Sequence, residues 1–147
     1  MRSNHLPTLL VLAAVSLATP ACLGAKESWQ ALTITNADLR VAPVEVYRRK
    51  DRLFVRVTYT NLTPETVTVD RDAMTLQLPN GRVVPRSLGS TTTHTVYTVP
   101  PNGAHAVFID FRDDELEKAH SATVLWNDAV HAGTREIAVP PTPVTVR

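Results

Sequence analysis

From Trp29 onward apolar residues recur at every second position, and this alternation constrains the fold more than any other property of the 147-residue chain. A period of two is the repeat of a half-buried β-strand, whose successive side chains point to opposite faces. Along residues 53–61, Leu53, Val55, Val57 and Tyr59 share one face, with Arg56, Thr58 and Thr60 among those on the other. The alternation returns at Val67 and Val69, at Met74, Leu76 and Leu78, and at Val107, Ile109 and Phe111. It is seen again at Val124 and Trp126 and at Ile137 and Val139. β-Branched residues crowd these stretches, as pleated packing surfaces favour.

Turn chemistry separates the stretches at intervals of roughly ten residues, the spacing of a sandwich rather than of a helical fold. Arg49-Lys50-Asp51 divides a strand ending near Tyr47 from one starting at Arg52. Asn80-Gly81 predicts a two-residue type I′ hairpin, since both residues accept a positive φ. Pro100-Pro101-Asn102-Gly103 predicts a corner before a core strand, and Asn61 an Asx-type turn. Asp113 to Ala119 is the one helix candidate, its acidic first turn suited to the positive end of a helix dipole. Pro140-Pro141-Thr142-Pro143 predicts an extended segment, with Val144 to Val146 adding a final edge strand. The pattern predicts an all-β fold, an antiparallel β-sandwich of seven to nine strands with one short helix.

With 44% hydrophobic and 20% charged residues the chain can build one domain with a real core. Lys and Arg number 15 against 14 Asp and Glu, and beyond residue 21 only Arg2 has been lost from that balance. Such a surface excludes nucleic-acid binding as the default, because phosphate backbones demand a surplus of cations. A single cysteine excludes an intrachain disulfide, so packing alone must hold the fold.

Residues 1–21 predict an export signal, with Arg2 supplying positive charge ahead of the apolar run Leu6 to Ala18. That run is too short for a bilayer, whose core of ~30 Å needs ~20 helical residues. Cys22 follows directly. The sequence Thr19-Pro20-Ala21-Cys22 resembles the lipobox of bacterial lipoproteins, which implies a lipidated Cys22 as first mature residue. Thr19 stands where that pattern has Leu, and Pro20 is unusual at its position. Ordinary cleavage after Ala21 or after Gly24 is the alternative, and the second would discard the cysteine. The expected organisation is a signal over 1–21, a short tether over 22–28 and one domain over 29–147.

Between Leu53 and Arg112 a series of features recurs in a set order. Tyr59-Thr60-Asn61-Leu62-Thr63-Pro64 ends a strand, then come Val67 to Asp70 and Met74 to Leu78. Asn80 to Pro85 supplies a hairpin, and Val99-Pro100-Pro101-Asn102-Gly103 leads into Ala106 to Phe111. This series resembles the immunoglobulin-like (telokin-like) domains of unknown function found in bacterial lipoproteins and secreted proteins. The resemblance implies an immunoglobulin-like sandwich acting as an envelope accessory or binding domain, with no catalytic residues to carry over. The leader region Trp29 to Arg49 and the acidic stretch after Phe111 depart from it.

Candidate sites are few. Arg48, Arg49, Lys50 and Arg52 form the only cationic run, beside Tyr47 and Phe54, and are the best candidate for binding an acidic partner. The same charges would serve a solvated hairpin tip that resists edge-to-edge aggregation. His94 and His105 flank one turn region and are a weak candidate for metal, without the close spacing of a preformed site. Asp110, Asp113, Asp114, Glu115 and Glu117 lack the order of a calcium loop. Ser87, Ser90, Thr91, Thr92, Thr93 and His94 lack a nucleophile elbow. Asn61-Leu62-Thr63 matches a glycosylation sequon. Trp29 and Trp126 fall in phase with the core.

The expected function is therefore an exported cell-envelope binding or interaction module, not an enzyme and without a cofactor. Its partner would be a protein or envelope component met through loops or an edge strand. Membrane contact would come only through a lipid anchor at Cys22, and nucleic acid is not expected. A periplasmic metal-handling protein and a structural accessory subunit are the alternatives.

Overall fold

The computed structural model describes residues 24–87 and 95–147 and resolves the alternation into antiparallel strands. They are β1 (Glu27–Ala31), β2 (Ile34–Thr35), β3 (Leu39–Arg49), β4 (Arg52–Asn61), β5 (Val67–Asp70), β6 (Thr75–Gln77) and β7 (Val83–Pro85). After the undescribed stretch come β8 (Val96–Val99), β9 (Ala104–Arg112), β10 (Ser121–Leu125), β11 (Val130–Ala132), β12 (Arg135–Glu136) and β13 (Thr142–Val146). The all-β class stands, and the strands are more numerous than the seven to nine expected. Pieces such as β2 and β12, two residues each, are too short to display an alternation.

The larger sheet runs β7-β6-β10-β13-β1-β3-β4-β9, with β2 beside β3, and the smaller runs β12-β11-β5-β8. The larger one curls until its two ends meet: Arg86 after β7 bridges Phe111 of β9, and Ser87 N–H donates to Asp110 O at 2.8 Å. Inside lie the in-phase residues, among them Leu53, Val55, Val57 and Tyr59 of β4 with Val107, Ile109 and Phe111 of β9. Burying each such side chain stabilises by roughly 1.5–3 kcal/mol. Trp126 meets Tyr59 edge-to-face at 6.0 Å and donates its indole N–H to Thr142 Oγ1 at 2.7 Å. Both tryptophans are core, as their phase predicts. The Tyr59 phenol is pushed well above its usual pKa of 10.0 by burial and stays neutral.

Three local expectations change. The 78–82 hairpin is not a two-residue type I′ turn: Asn80 keeps an ordinary φ, and only Gly81, at 85°, is left-handed. Gly81 N–H donates to Leu78 O and Leu78 N–H to Arg82 O, closing a three-residue loop. Pro79 explains the difference, since its ring fixes a φ suited to the first inner position of an ordinary turn. The helix candidate shrinks to a 3₁₀ turn, Asp114–Glu117, capped by the Asp113 carboxylate accepting from Glu115 N–H. The Pro-rich tail is interior rather than an edge strand, because β13 pairs with β10 and with β1. Pairing with β1 stops at Val144, so Pro143 has a neighbour only on the β10 side.

One irregularity positions the candidate site. Between Pro43 and Glu45 the pairing of β3 with β4 slips, leaving Val44 as an extra, exposed residue. Leu39 and Val41 before the bulge face the core, and Val46 after it also does. Odd-numbered positions therefore turn outward beyond the bulge, which places Glu45, Tyr47 and Arg49 on the outer face.

Candidate functional site

The outer face of β3, β4 and β9 carries three registered rows. Glu45 stands opposite Arg56 and Arg56 opposite Phe108; Tyr47 opposite Phe54 and Phe54 opposite Asp110; Arg49 opposite Arg52 and Arg52 opposite Arg112. The rings form a continuous strip across the three strands. Tyr47 and Phe54 stack with centroids 4.7 Å apart and planes 16° from parallel, and Phe54 meets Phe108 at 5.7 Å. Phe108 remains 40% exposed.

Cations are packed against this strip. Lys26 Nζ lies 4.4 Å from the Tyr47 centroid, the Arg49 guanidinium 5.9 Å from the same ring, and the Arg52 guanidinium 5.4 Å from that of Phe54. Such contacts are attractive because a ring presents negative charge on its face. Acids accompany several of them: Lys26 pairs with Glu45, Arg52 with Asp110, and Arg112 with Asp51 at 2.6 Å. Hydrogen bonding to Arg112 holds the Asp51 carboxyl below the ordinary range, and Asp51 in turn raises the Arg112 guanidinium.

The cationic run is divided by the same period of two that defines its strands. Arg49 and Arg52 reach the outer face, and Lys50 sits in the turn between them with φ 51°. Arg48 turns the other way. Its guanidinium pairs with Glu27 at 2.8 Å and donates to the carbonyls of Leu116 and Ala119, closing one end of the curled sheet. Lys26, Phe108 and Asp110 join the site without having been singled out for it. Phe108 did carry a signal, being an aromatic out of phase with Val107, Ile109 and Phe111.

The other candidates separate. His105 stands exposed on β9 with its ring 5.3 Å from Tyr97; His94 lies outside the described residues, as do Ser90 and Cys22. Among the described residues no three His, Cys, Asp or Glu side chains converge as a metal site would require. Asp110 and Asp113 are engaged by Arg52 and Arg82. Asn61 is buried, its amide nitrogen donating to the carbonyls of Glu65, Val99 and Pro100, which withdraws the sequon from glycosylation. Elsewhere on the surface a hollow of about 330 Å³ is lined by Gln30, Ala31, Leu32, Pro143 and Thr145, with Leu32 81% exposed. Among the described residues no helix is long and apolar enough to cross a membrane.

No family model and no curated protein matches this chain. Among solved structures it is similar to the yjhA protein from Bacillus subtilis, with 17% identity, a TM-score of 0.51, and coverage of 65% of this chain and 77% of that one. A second structural-genomics protein aligns over 81% of this chain and 87% of its own, with 13% identity and a TM-score of 0.47. The first likeness shows a shared strand-rich fold, and neither name states an activity.

Proposed function

We propose that this protein is an exported binding module of the bacterial cell envelope, an immunoglobulin-like sandwich that recognises its partner through the outer face of β3, β4 and β9. The observation that carries the reading is the Tyr47-Phe54-Phe108 strip with Lys26, Arg49 and Arg52 packed against it. Nothing in the core requires these rings, since they project from the side of the sheet away from it. Aromatic and arginine side chains are the residue types that dominate binding energy at recognition surfaces, and surface rings held in place by stacking have little conformational freedom to lose on binding. The signal-like residues 1–21 support export, and Cys22 supports tethering by a lipid. The immunoglobulin-like type is supported by the Asn61 turn and the Pro100–Gly103 corner, which meet at one end of the sheet. Catalysis forms no part of this reading.

A photo-crosslinking residue placed at Phe108, and separately at the exposed Gln77 of β6, tests the face in cells. Partner adducts should form from position 108 and not from position 77. Equal capture at both positions, or none at 108, would sink the assignment of this face.

A further inference from the structure

The row Arg49, Arg52, Arg112 places three arginines opposite one another on adjacent strands of one face. Like charges directly opposite one another destabilise a sheet. Neighbouring strands lie only about 4.8 Å apart, so the row is costly unless something anionic joins it. Asp51 and Asp110 answer part of this charge by pairing with Arg112 and Arg52. The other nearby acids are Glu45, paired with Lys26, Glu27, paired with Arg48, and Asp114, whose charge acts on Arg112. Arg49 and Lys50 are left without an acidic partner among the described residues.

A second observation is independent of that charge pattern. The Nε atoms of Arg49 and Arg52 are both buried without an acceptor. A buried donor without a partner is rare in a native fold and calls for an explanation. Both side chains lie against neighbouring rings of one stack, Arg49 over Tyr47 and Arg52 over Phe54. Each guanidinium is thus held against a ring of the strip before any ligand arrives.

We infer that Arg49 and Arg52, flanked by Lys50 and Arg112, bind the phosphate group of a phosphomonoester, an inference that rests on the outer face being the recognition surface. Asp110 and Asp51 answer Arg52 and Arg112, so Arg49 and Lys50 are the two cations of this group, without an acidic partner among the described residues, that face a group carrying about −1.5 to −2 at neutral pH. Its three free oxygens can accept from two guanidinium forks at once, whereas a carboxylate has two oxygens and half the charge. The strained Lys50, at a φ that Gly or Asn adopts more easily, keeps a cation at the rim.

The test is an NMR titration of the intact protein with inorganic phosphate, at ionic strength held constant with sodium chloride. Saturable shifts are expected at the Arg49 and Arg52 Nε–H groups and at the backbone amides around them. Arg49→Gln should weaken binding by about tenfold or more, and Arg49→Lys, which keeps charge but loses the fork, should fall between. The Trp126 indole signal reports whether each variant stays folded. Shifts that grow linearly without saturating, or a folded Arg49→Gln that binds as tightly as wild type, would overturn the inference. Sedimentation with phosphatidylcholine vesicles, with and without phosphatidic acid, then identifies the source. Phosphate binding together with capture by the acidic vesicles assigns a lipid headgroup, and phosphate binding alone a soluble ester. Crosslinking at Phe108 that persists when phosphate fails to bind would leave the module reading standing and only this ligand excluded.

Discussion

Asn61 shows how one side chain can anchor a fold that has no disulfide. Its Oδ1 accepts from Thr63 N–H and Thr63 Oγ1, each at 2.8 Å, and its Nδ2 donates to Glu65 O at 2.6 Å, Val99 O at 3.1 Å and Pro100 O at 3.2 Å. Asn61→Ala would leave several buried polar groups unmatched. At about 1–3 kcal/mol for an unsatisfied buried group, we expect a loss of about 3 kcal/mol, read as a lower urea midpoint at unchanged slope. A loss below about 0.5 kcal/mol, the usual range for surface substitutions, would show that water replaces the amide. The Asx turn itself was legible, because Asn61 ahead of Leu62-Thr63-Pro64 at a strand end has a local reason to be there. The bonds to residues 99 and 100 were not, since they depend on a strand nearly forty positions later arriving beside it. The candidate site shows the same divide. Arg49, Lys50 and Arg52 are neighbours in sequence, whereas Lys26, Phe108 and Asp110 join them only through strand pairing.

Turns were read correctly where one residue type decides the backbone, and missed where two compete. The Pro100–Gly103 corner is closed by Gly103 N–H donating to Pro100 O at 2.9 Å, with Asn102 at φ 55°. That is the type II arrangement, with proline first and a residue tolerant of positive φ second. Asn80-Gly81 looked equally decisive, but Pro79 before it selected the longer loop. Gly103 tests how tightly the corner is built. A Cβ there would lie 2.6 Å from Pro100 Cγ and 3.0 Å from Pro100 O, on the carbonyl that Asn61 also uses. Gly103→Ala should therefore cost about 1–3 kcal/mol, as overpacking does, and should perturb the Asn61 side-chain amide resonances as well. Asn102→Gly, which keeps the positive φ, should cost less than about 1 kcal/mol. Equal stability of Gly103→Ala and wild type would mean that the corner yields freely, and that its link to Asn61 is not rigid.

At the level of the whole molecule, strand directions give the sheet two unlike ends. The 3₁₀ turn Asp114–Glu117 and the β3–β4 turn lie at one end, while the turns beginning at Asn61 and Pro100 gather at the other. The described chain enters at the first end, because β1 starts opposite Arg48 and a Cβ on Gly24 would lie 2.5 Å from Lys50 Cγ. Alternation could not reveal this, since it specifies faces and says nothing of which ends coincide. Cys22 precedes Gly24 by two residues, a reach of about 7 Å at full extension. A lipid on Cys22 would consequently hold Arg49, Lys50 and the phosphate-binding row close to the headgroups, with the Asn61 and Pro100 turns directed away. Arg49 and Lys50 would add an electrostatic contact with acidic headgroups to that lipid anchor. The expected outcome has two parts. Protein purified from the cells that produce it should have the intact mass of a chain beginning at Cys22 with acyl groups added. In vesicles carrying a paramagnetic headgroup probe, the amides of residues 49–52 should broaden more than those of residues 100–103. An unacylated chain starting after Ala21 or Gly24 would remove the tether and leave a released module. An acylated protein broadened equally at both ends would keep the tether and refute the orientation.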